Sequence, residues 1–142
     1  MPFISLTRLR IRSIRFLPAF LLHAFRSRNQ VRRAPGFLTG ALLPDKHFTF
    51  WTMTAWDSEA SMKSFMISGA HKAAMTHLIH WCDEASVAHW IEPEASLPSW
   101  EEADRRMRSS GRPSKVKHPS PNHANLTYKT PRTTRSAKIT RT

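Results

Sequence analysis

The sequence from Trp51 to Phe65, WTMTAWDSEASMKSF, decides the fold. Its first half alternates large and small side chains, which is typical of a β-strand with two different faces. Asp57 or Ser58 then caps a helix, and Glu59 lies in the first turn, where the helix dipole favours an anion. A strand that runs directly into a helix with an aromatic residue on its inner side predicts a small α/β sandwich. Such a sandwich has a pocket between sheet and helix.

Outward from this stretch, period-two patterns predict strands, and apolar residues at helical spacing predict helices. The predicted strands are residues 3–12, 37–43, 47–56 and 85–92. The predicted helices are 16–32, two helices between 58 and 81 that are separated at Gly69, and 99–108. The order βαββαβ predicts an α+β, ferredoxin-like fold with an antiparallel four-stranded sheet.

The formal net charge of +12 is unevenly distributed along the chain. Residues 45–104 hold all ten acidic residues, whereas residues 1–44 carry eight arginines and residues 105–142 carry eleven bases, neither with an acid. This distribution favours a near-neutral domain, residues 1–108, followed by a basic tail, residues 109–142. A basic nucleic-acid-binding domain is the weaker interpretation.

The tail is rich in Pro, Ser, Thr, Arg and Lys and poor in apolar residues, which predicts disorder. We therefore expect it to be dispensable for folding. Its bases predict weak, non-specific association with nucleic acid that falls steeply with salt, because Tyr128 is its only tyrosine, tryptophan or phenylalanine for base stacking.

The predicted sheet has helices on one face only, so its other face would be bare. Half of the strand side chains would lie on that bare face, including large ones from the third and fourth strands. An exposed apolar face of this kind is usually an interface. Two sheets that pair face to face would cover it, and we expect a homodimer.

The only cysteine, Cys82, excludes an intramolecular disulfide and fits a reducing compartment. The longest apolar run, Phe16 to Phe25, is about half the length of a membrane span. We expect a cytoplasmic protein without a membrane span. The arginine-rich start resembles a cleaved targeting segment, but the alternation over residues 3–12 favours a first strand.

Several pieces of the sequence resemble the dimeric α/β-barrel superfamily. They resemble more closely a bacterial branch without an assigned reaction that is related to spheroidene monooxygenase and to the antibiotic-biosynthesis monooxygenases. The matching pieces are Thr7 to Arg10, Ala34 to Phe37, Trp51 to Phe65, Gly69 to His71, Trp81 to Ala85, and His89-Trp90. The resemblance implies a homodimer whose pockets, between sheet and helices, hold an apolar or aromatic small molecule or haem.

A haem-degrading branch of this superfamily binds haem through a histidine ten residues after a helix tryptophan. In this chain the tryptophan position falls on Phe65, and the ligand position falls on Met75. That ligand is therefore not carried over. His71, one turn earlier on the same helix face, is the alternative haem ligand.

His71 is the best candidate for a catalytic residue, as a general base or a haem ligand. The alternative is a half-buried histidine whose ring binds a backbone carbonyl. The candidate ligand-binding residues are Trp51, Trp56, Phe65 and Met75. The tryptophans belong to the strand–helix junction and could line a flat apolar ligand, although the core or a dimer surface is their commoner place.

Three arginines of the first strand, Arg8, Arg10 and Arg12, lie on one side. They could receive a carboxylate or the haem propionates. Ion pairs across the sheet with Asp83, Glu84 or Glu92 are the preferred interpretation.

Other histidines are weaker candidates for a site. His77 and His80 lie near Cys82, but structural zinc sites usually need four well-spaced ligands, and we predict no metal site. His89, beside Trp90, is assigned to the dimer interface.

With four glycines in all, the sequence has neither a phosphate-binding loop nor a dinucleotide fingerprint. The leading hypothesis is a monooxygenase-like dimer with a pocket for an apolar or aromatic small molecule, or for haem. The alternatives are a non-catalytic ligand-binding or structural dimer, and a protein that associates weakly with nucleic acid through its tail.

Overall fold

A computed structural model describes residues 1–94 and 96–142. The elements are β1 Phe3–Ile11, α1 Leu17–Val31, β2 Phe37–Asp45, β3 Thr49–Trp56, α2 Glu59–Met66, α3 Gly69–Trp81, β4 Cys82–Ile91, α4 Trp100–Ser110, β5 Arg112–Pro113 and β6 Ala137–Ile139. A short 3-10 helix, Ile14–Phe16, precedes α1. The predicted α+β class and the predicted order of strands and helices are confirmed.

The sheet has six strands, not the predicted four, in the order β5-β4-β1-β3-β2-β6. All pairings are antiparallel. The two extra strands come from residues 111–142, hereafter the C-terminal segment. They add to β4 and β2, whose outer edges would otherwise present unpaired backbone groups.

The register of β1 decides which side chains share a face of the sheet. Ser5 lies opposite Thr54 on β3 and His89 on β4. Its neighbour Leu6 lies opposite Met53 and belongs to the other face. The face of Ser5, called here the helical face, is covered by α1, α2 and α3.

The helices pack on the helical face through a few buried side chains. Phe20 of α1 packs on Phe50 of β3, with ring centres 4.9 Å apart. Ser58 accepts the Ser61 N–H at 3.2 Å and so caps α2, as the sequence predicts. No helix in the described part of the chain is long and apolar enough to cross a membrane.

The other face of the sheet is not bare, contrary to the sequence-based prediction. Helix α4 lays Trp100, Ala103 and Met107 on it, and Tyr128 of the C-terminal segment packs beside them with only 4% of its surface exposed. The predicted homodimer loses its main argument, because this chain covers its own apolar face. Homodimerisation itself stays a prediction.

The predicted disorder of the tail is also wrong. The C-terminal segment pairs with both sheet edges and crosses the face between them, and its Tyr128 and Ile139 are buried. The low content of apolar residues in this segment predicts that it is unfolded. Two buried apolar side chains and strand pairing at both edges instead attach it to the domain. Weak association with nucleic acid stays a prediction.

The predicted ion pairing of the β1 arginines is confirmed for two of them. Arg8 donates to Glu84 at 2.6 Å and Arg10 donates to the other carboxylate oxygen at 3.0 Å. Ser120 of the C-terminal segment donates to Glu84 at 2.7 Å. Arg12 instead donates from Nε to the His80 carbonyl at 2.6 Å.

This buried network predicts a loss of stability in acid. Burial opposes the charge of Glu84, but the Ser120 hydroxyl, Arg8 and Arg10 outweigh it and hold its pKa below the ordinary 4.5. A lowered folded-state pKa stabilises the protein above the unfolded value, and this contribution is lost as the pH falls through the folded value. The melting temperature of the natural chain should therefore exceed that of Glu84→Gln at neutral pH, and the difference should shrink below pH 4.5.

The matched control for this measurement is Glu101→Gln, because Glu101 is exposed. Its melting temperature should stay close to that of the natural chain at every pH. A difference between Glu84→Gln and the natural chain that stays constant from pH 7 to pH 3 would contradict the linkage.

Candidate functional site

A cavity of about 560 Å³ lies between the helical face of the sheet and helices α1, α2 and α3. Its volume falls within the range of small-molecule sites, roughly 300–1,000 Å³. Strands β1 to β4 form the floor, and the three helices form the roof. The C-terminal segment contributes to the wall at both sheet edges, through Ser114, Lys115 and Val116 on one side and Ile139 on the other.

The floor of the cavity combines polar and apolar side chains. It presents Ser5 and Thr7 of β1 and their β3 partners Thr54 and Thr52. The Trp56 indole N–H donates to the Thr54 hydroxyl at 2.9 Å and fixes the tryptophan against this floor. Hydroxyl groups in this position can bind a polar edge of a ligand.

The roof of the cavity is largely apolar. Its main side chains are Phe20, Phe25, Met62, Phe65, Met75 and Leu78. Phe25 and Met75 are 60% and 40% exposed, so the cavity reaches the protein surface beside them. A flat apolar molecule could enter there and lie between the two layers.

His71 lies in the first turn of α3 and lines this cavity. Its backbone N–H donates to the Gln30 side chain at 2.8 Å, and its ring contacts Phe65 with centres 4.6 Å apart. Its Nδ1 lies 3.2 Å from the Met66 carbonyl. A carbonyl only accepts hydrogen bonds, so Nδ1 carries the proton and Nε2 keeps a lone pair.

Burial lowers the pKa of His71, although its bond to the Met66 carbonyl acts in the opposite direction. The ring is therefore neutral at physiological pH. A neutral imidazole with a fixed tautomer can act as a general base or as a metal ligand through Nε2. The contact with a backbone carbonyl that is expected of a purely structural histidine is present. It uses Nδ1 and does not involve Nε2.

Four of the five predicted site residues are brought together. Trp56, Phe65, His71 and Met75 all line the cavity, but Trp51 lies on the opposite face, where it contacts Tyr128 with ring centres 5.5 Å apart. Trp51 and Trp56 are five positions apart on one strand, and an odd separation places side chains on opposite faces. The assignment of Trp51 to the pocket is corrected accordingly.

Two further histidines of the cavity were missed in the sequence. His89, assigned to an interface, lines the floor instead, and its Nε2 is buried without a hydrogen-bond partner in residues 1–94 and 96–142. His23 of α1 also lines the cavity. Its position three residues after Phe20 is the signal that could have placed it on the inner face.

The described residues contain no group of three or more His, Cys, Asp or Glu side chains that could hold a metal ion. His77 stacks on Trp81, with ring centres 4.9 Å apart. Burial raises the pKa of the Cys82 thiol to about 12, so it is protonated and a poor ligand.

The haem hypothesis fits the cavity in one respect and not in another. His71 has Nδ1 held by a carbonyl and Nε2 available, which is the usual arrangement of an iron-binding histidine. Arg8 and Arg10 cannot receive the propionates, because they bind Glu84 away from the cavity. The cations that line the cavity are Arg28 and Lys115.

Comparison with protein families gives a match over most of the chain. The family described as a domain of unknown function, DUF3291, matches residues 23–138. No curated protein matches the sequence.

Several solved structures share the fold at low sequence identity. A variant of SnoaB, a cofactor-independent oxygenase from Streptomyces nogalater, is 15% identical with a TM-score of 0.56, covering 69% of this chain and 98% of its own. A proposed antibiotic biosynthesis monooxygenase from Nitrosomonas europaea is 11% identical with a TM-score of 0.60, over 68% and 94%. Rv0793 from Mycobacterium tuberculosis is 13% identical with a TM-score of 0.61, over 68% and 100%. The resemblance to the antibiotic-biosynthesis monooxygenases is confirmed for the fold.

Proposed function

The chain belongs to the DUF3291 family, and we propose that it is a monooxygenase-like protein whose cavity binds an apolar or aromatic small molecule. The observation that carries this proposal is the neutral His71 at the wall of a largely apolar cavity. The fold shared with a cofactor-independent oxygenase supports it, although the likeness by itself concerns the fold alone.

In this proposal His71 acts as the general base. Its Nε2 takes a proton from an acidic C–H or O–H group of the bound molecule. The bond from Nδ1 to the Met66 carbonyl holds the ring in place and stabilises the imidazolium that forms. The aromatic roof orients the ligand and excludes water, while floor hydroxyls bind its polar edge.

Anthrone tests this function, because the methylene carbon opposite the carbonyl of its central ring carries acidic C–H bonds and its body is flat and apolar. The purified protein should accelerate dioxygen uptake by anthrone above the rate in buffer and convert it to an oxygenated product detectable by mass spectrometry. Binding without dioxygen uptake would favour the alternative, a non-catalytic ligand-binding protein. Absence of both binding and uptake would contradict the proposal for this class of molecule.

Haem is the second candidate ligand, favoured by the tautomer of His71. When bound, haem would supply redox chemistry, with His71 as the residue that holds its iron. Addition of hemin should then produce a sharp Soret band that His71→Ala removes.

A substitution in α3 sharpens the haem test. Met75 lines the cavity one turn after His71, and Met75→His restores the spacing of the haem-degrading branch. This variant should strengthen hemin binding, as measured by the Soret band during titration. If neither the natural chain nor Met75→His gives a Soret band, the haem hypothesis is wrong and a cofactor-free cavity remains.

A further inference from the structure

The Arg, Lys, His, Asp and Glu side chains that line the cavity are all basic ones. No Asp or Glu lines it in the described part of the chain, whereas Arg28, Lys115, His23, His71 and His89 do. The whole chain contains ten acidic residues, so their absence from this wall is a property of the site and not of the composition.

Two of these five side chains, Arg28 and Lys115, are cationic groups of the cavity wall. Burial lowers the pKa of His71 and of His89, and the charge of Arg112 lowers that of His89 further. Both imidazoles are therefore neutral before a ligand binds, so neither adds a positive charge to the cavity.

Arg28 is the cation better placed for a ligand. It follows Ala24 by four residues and precedes Val31 by three, and both of these residues also line the cavity. Arg28 is partly buried, whereas Lys115 is exposed. A guanidinium at this position can reach into the space between helix and sheet.

Arg28 is one of the arginines that no carboxylate of the described residues neutralises. Arg8, Arg10, Arg105, Arg106 and Arg108 all bind carboxylates of the chain. Within residues 1–94 and 96–142, Arg28 makes no ion pair, and residues 1–44 contain no acid that could supply one locally. Arg28 lies in the last turn of α1, where the helix dipole favours a base. The dipole would favour a base on the exposed side of this turn equally, so it does not explain why Arg28 lines the cavity.

We propose that the cavity takes an apolar ligand that carries one anionic oxygen group, a carboxylate or a phenolate, and that Arg28 receives this group. The inference rests on the proposed function, since it assigns the charge of the ligand in the same cavity. The planar guanidinium suits such a group because it can donate two parallel hydrogen bonds. The apolar roof binds the remainder of the molecule.

Two probes with the same ring system separate the contribution of charge from that of apolar contact. Naphthalene-2-carboxylate carries the proposed anionic group, and its methyl ester presents the same ring without the charge. Each is titrated into the full chain at neutral pH by isothermal calorimetry. The carboxylate is expected to bind about tenfold or more tightly than the ester, the range of one charge-assisted hydrogen bond.

Arg28→Gln is expected to remove this preference by weakening the carboxylate and leaving the ester unchanged. Arg26→Gln is the matched control, because Arg26 is an exposed arginine of the same helix that does not line the cavity. It should retain the preference, which separates a local contact from the net charge of the helix.

The remaining outcomes distinguish the two proposals. Equal binding of ester and carboxylate, or equal weakening of both by Arg28→Gln, would overturn the anionic ligand and leave the cavity as a site for neutral molecules. Binding of neither probe would contradict the ligand cavity itself and this inference with it.

Discussion

A chain that ends at Ser110 is expected to melt about 10 °C or more below the full chain. Removal of the C-terminal segment exposes the surfaces covered by Tyr128 and Ile139, which are 4% and 1% exposed. Each buried side chain of this size contributes roughly 1.5–3 kcal/mol, and at this chain length 1 kcal/mol shifts the melting temperature by about 2–8 °C. Thermal unfolding followed by circular dichroism measures the difference.

Two controls separate this effect from the loss of chain length. A chain that ends at Thr140 keeps Tyr128 and Ile139 and should melt close to the full chain. Tyr128→Ala, with both its packing on Trp51 and its hydrogen bond to Asp104 removed, should lower the melting temperature, whereas Lys129→Ala at an exposed position should not. A chain that ends at Ser110 and melts like the full chain would mean that the segment does not stabilise the domain.

His71→Ala is expected to reduce turnover of a bound substrate by about 100-fold or more, the usual contribution of a general base. The loss of its bond to the Met66 carbonyl should cost only about 1 kcal/mol of stability. His77→Ala is the matched control, because His77 lies on the same helix outside the cavity. Initial rates of dioxygen uptake and melting temperatures measured on the same preparations separate catalysis from folding.

The pH profile gives the general base an independent signature. Because burial lowers the pKa of His71, the rate should rise with pH and reach half its plateau below the ordinary histidine value of 6.5. The imidazole must be unprotonated to accept a proton, which fixes the direction of this change. A rate that falls over the same range, or a His71→Ala variant with unchanged turnover, would contradict this role.

Local sequence patterns were sufficient for the elements that position the site. The alternation before Trp56, the cap at Ser58 and the helical spacing to His71 each depend on neighbouring residues. They placed Trp56, Phe65, His71 and Met75 around one space between sheet and helices. Even the error at Trp51 was avoidable, because the parity of its separation from Trp56 already assigns it to the opposite face.

Long-range contacts were the part that the sequence could not supply. Ile139 of β6 lies opposite Gly40 of β2, a pairing between positions about a hundred residues apart, and composition suggested that this segment had too little apolar surface to fold. His89 was misplaced for a related reason. Its face follows from its register opposite Ser5 on a strand more than eighty residues away.

A crystal structure with a brominated probe tests the central claim most directly. The compound 6-bromonaphthalene-2-carboxylate combines a flat apolar body, the anionic group and an anomalous scatterer. The account predicts one strong bromine peak between the helical face of the sheet and helices α1 to α3, with the ring against His71 and the carboxylate towards Arg28. A bromine peak on the opposite face beside Tyr128, or on the outer surface with the cavity free of probe, would contradict it.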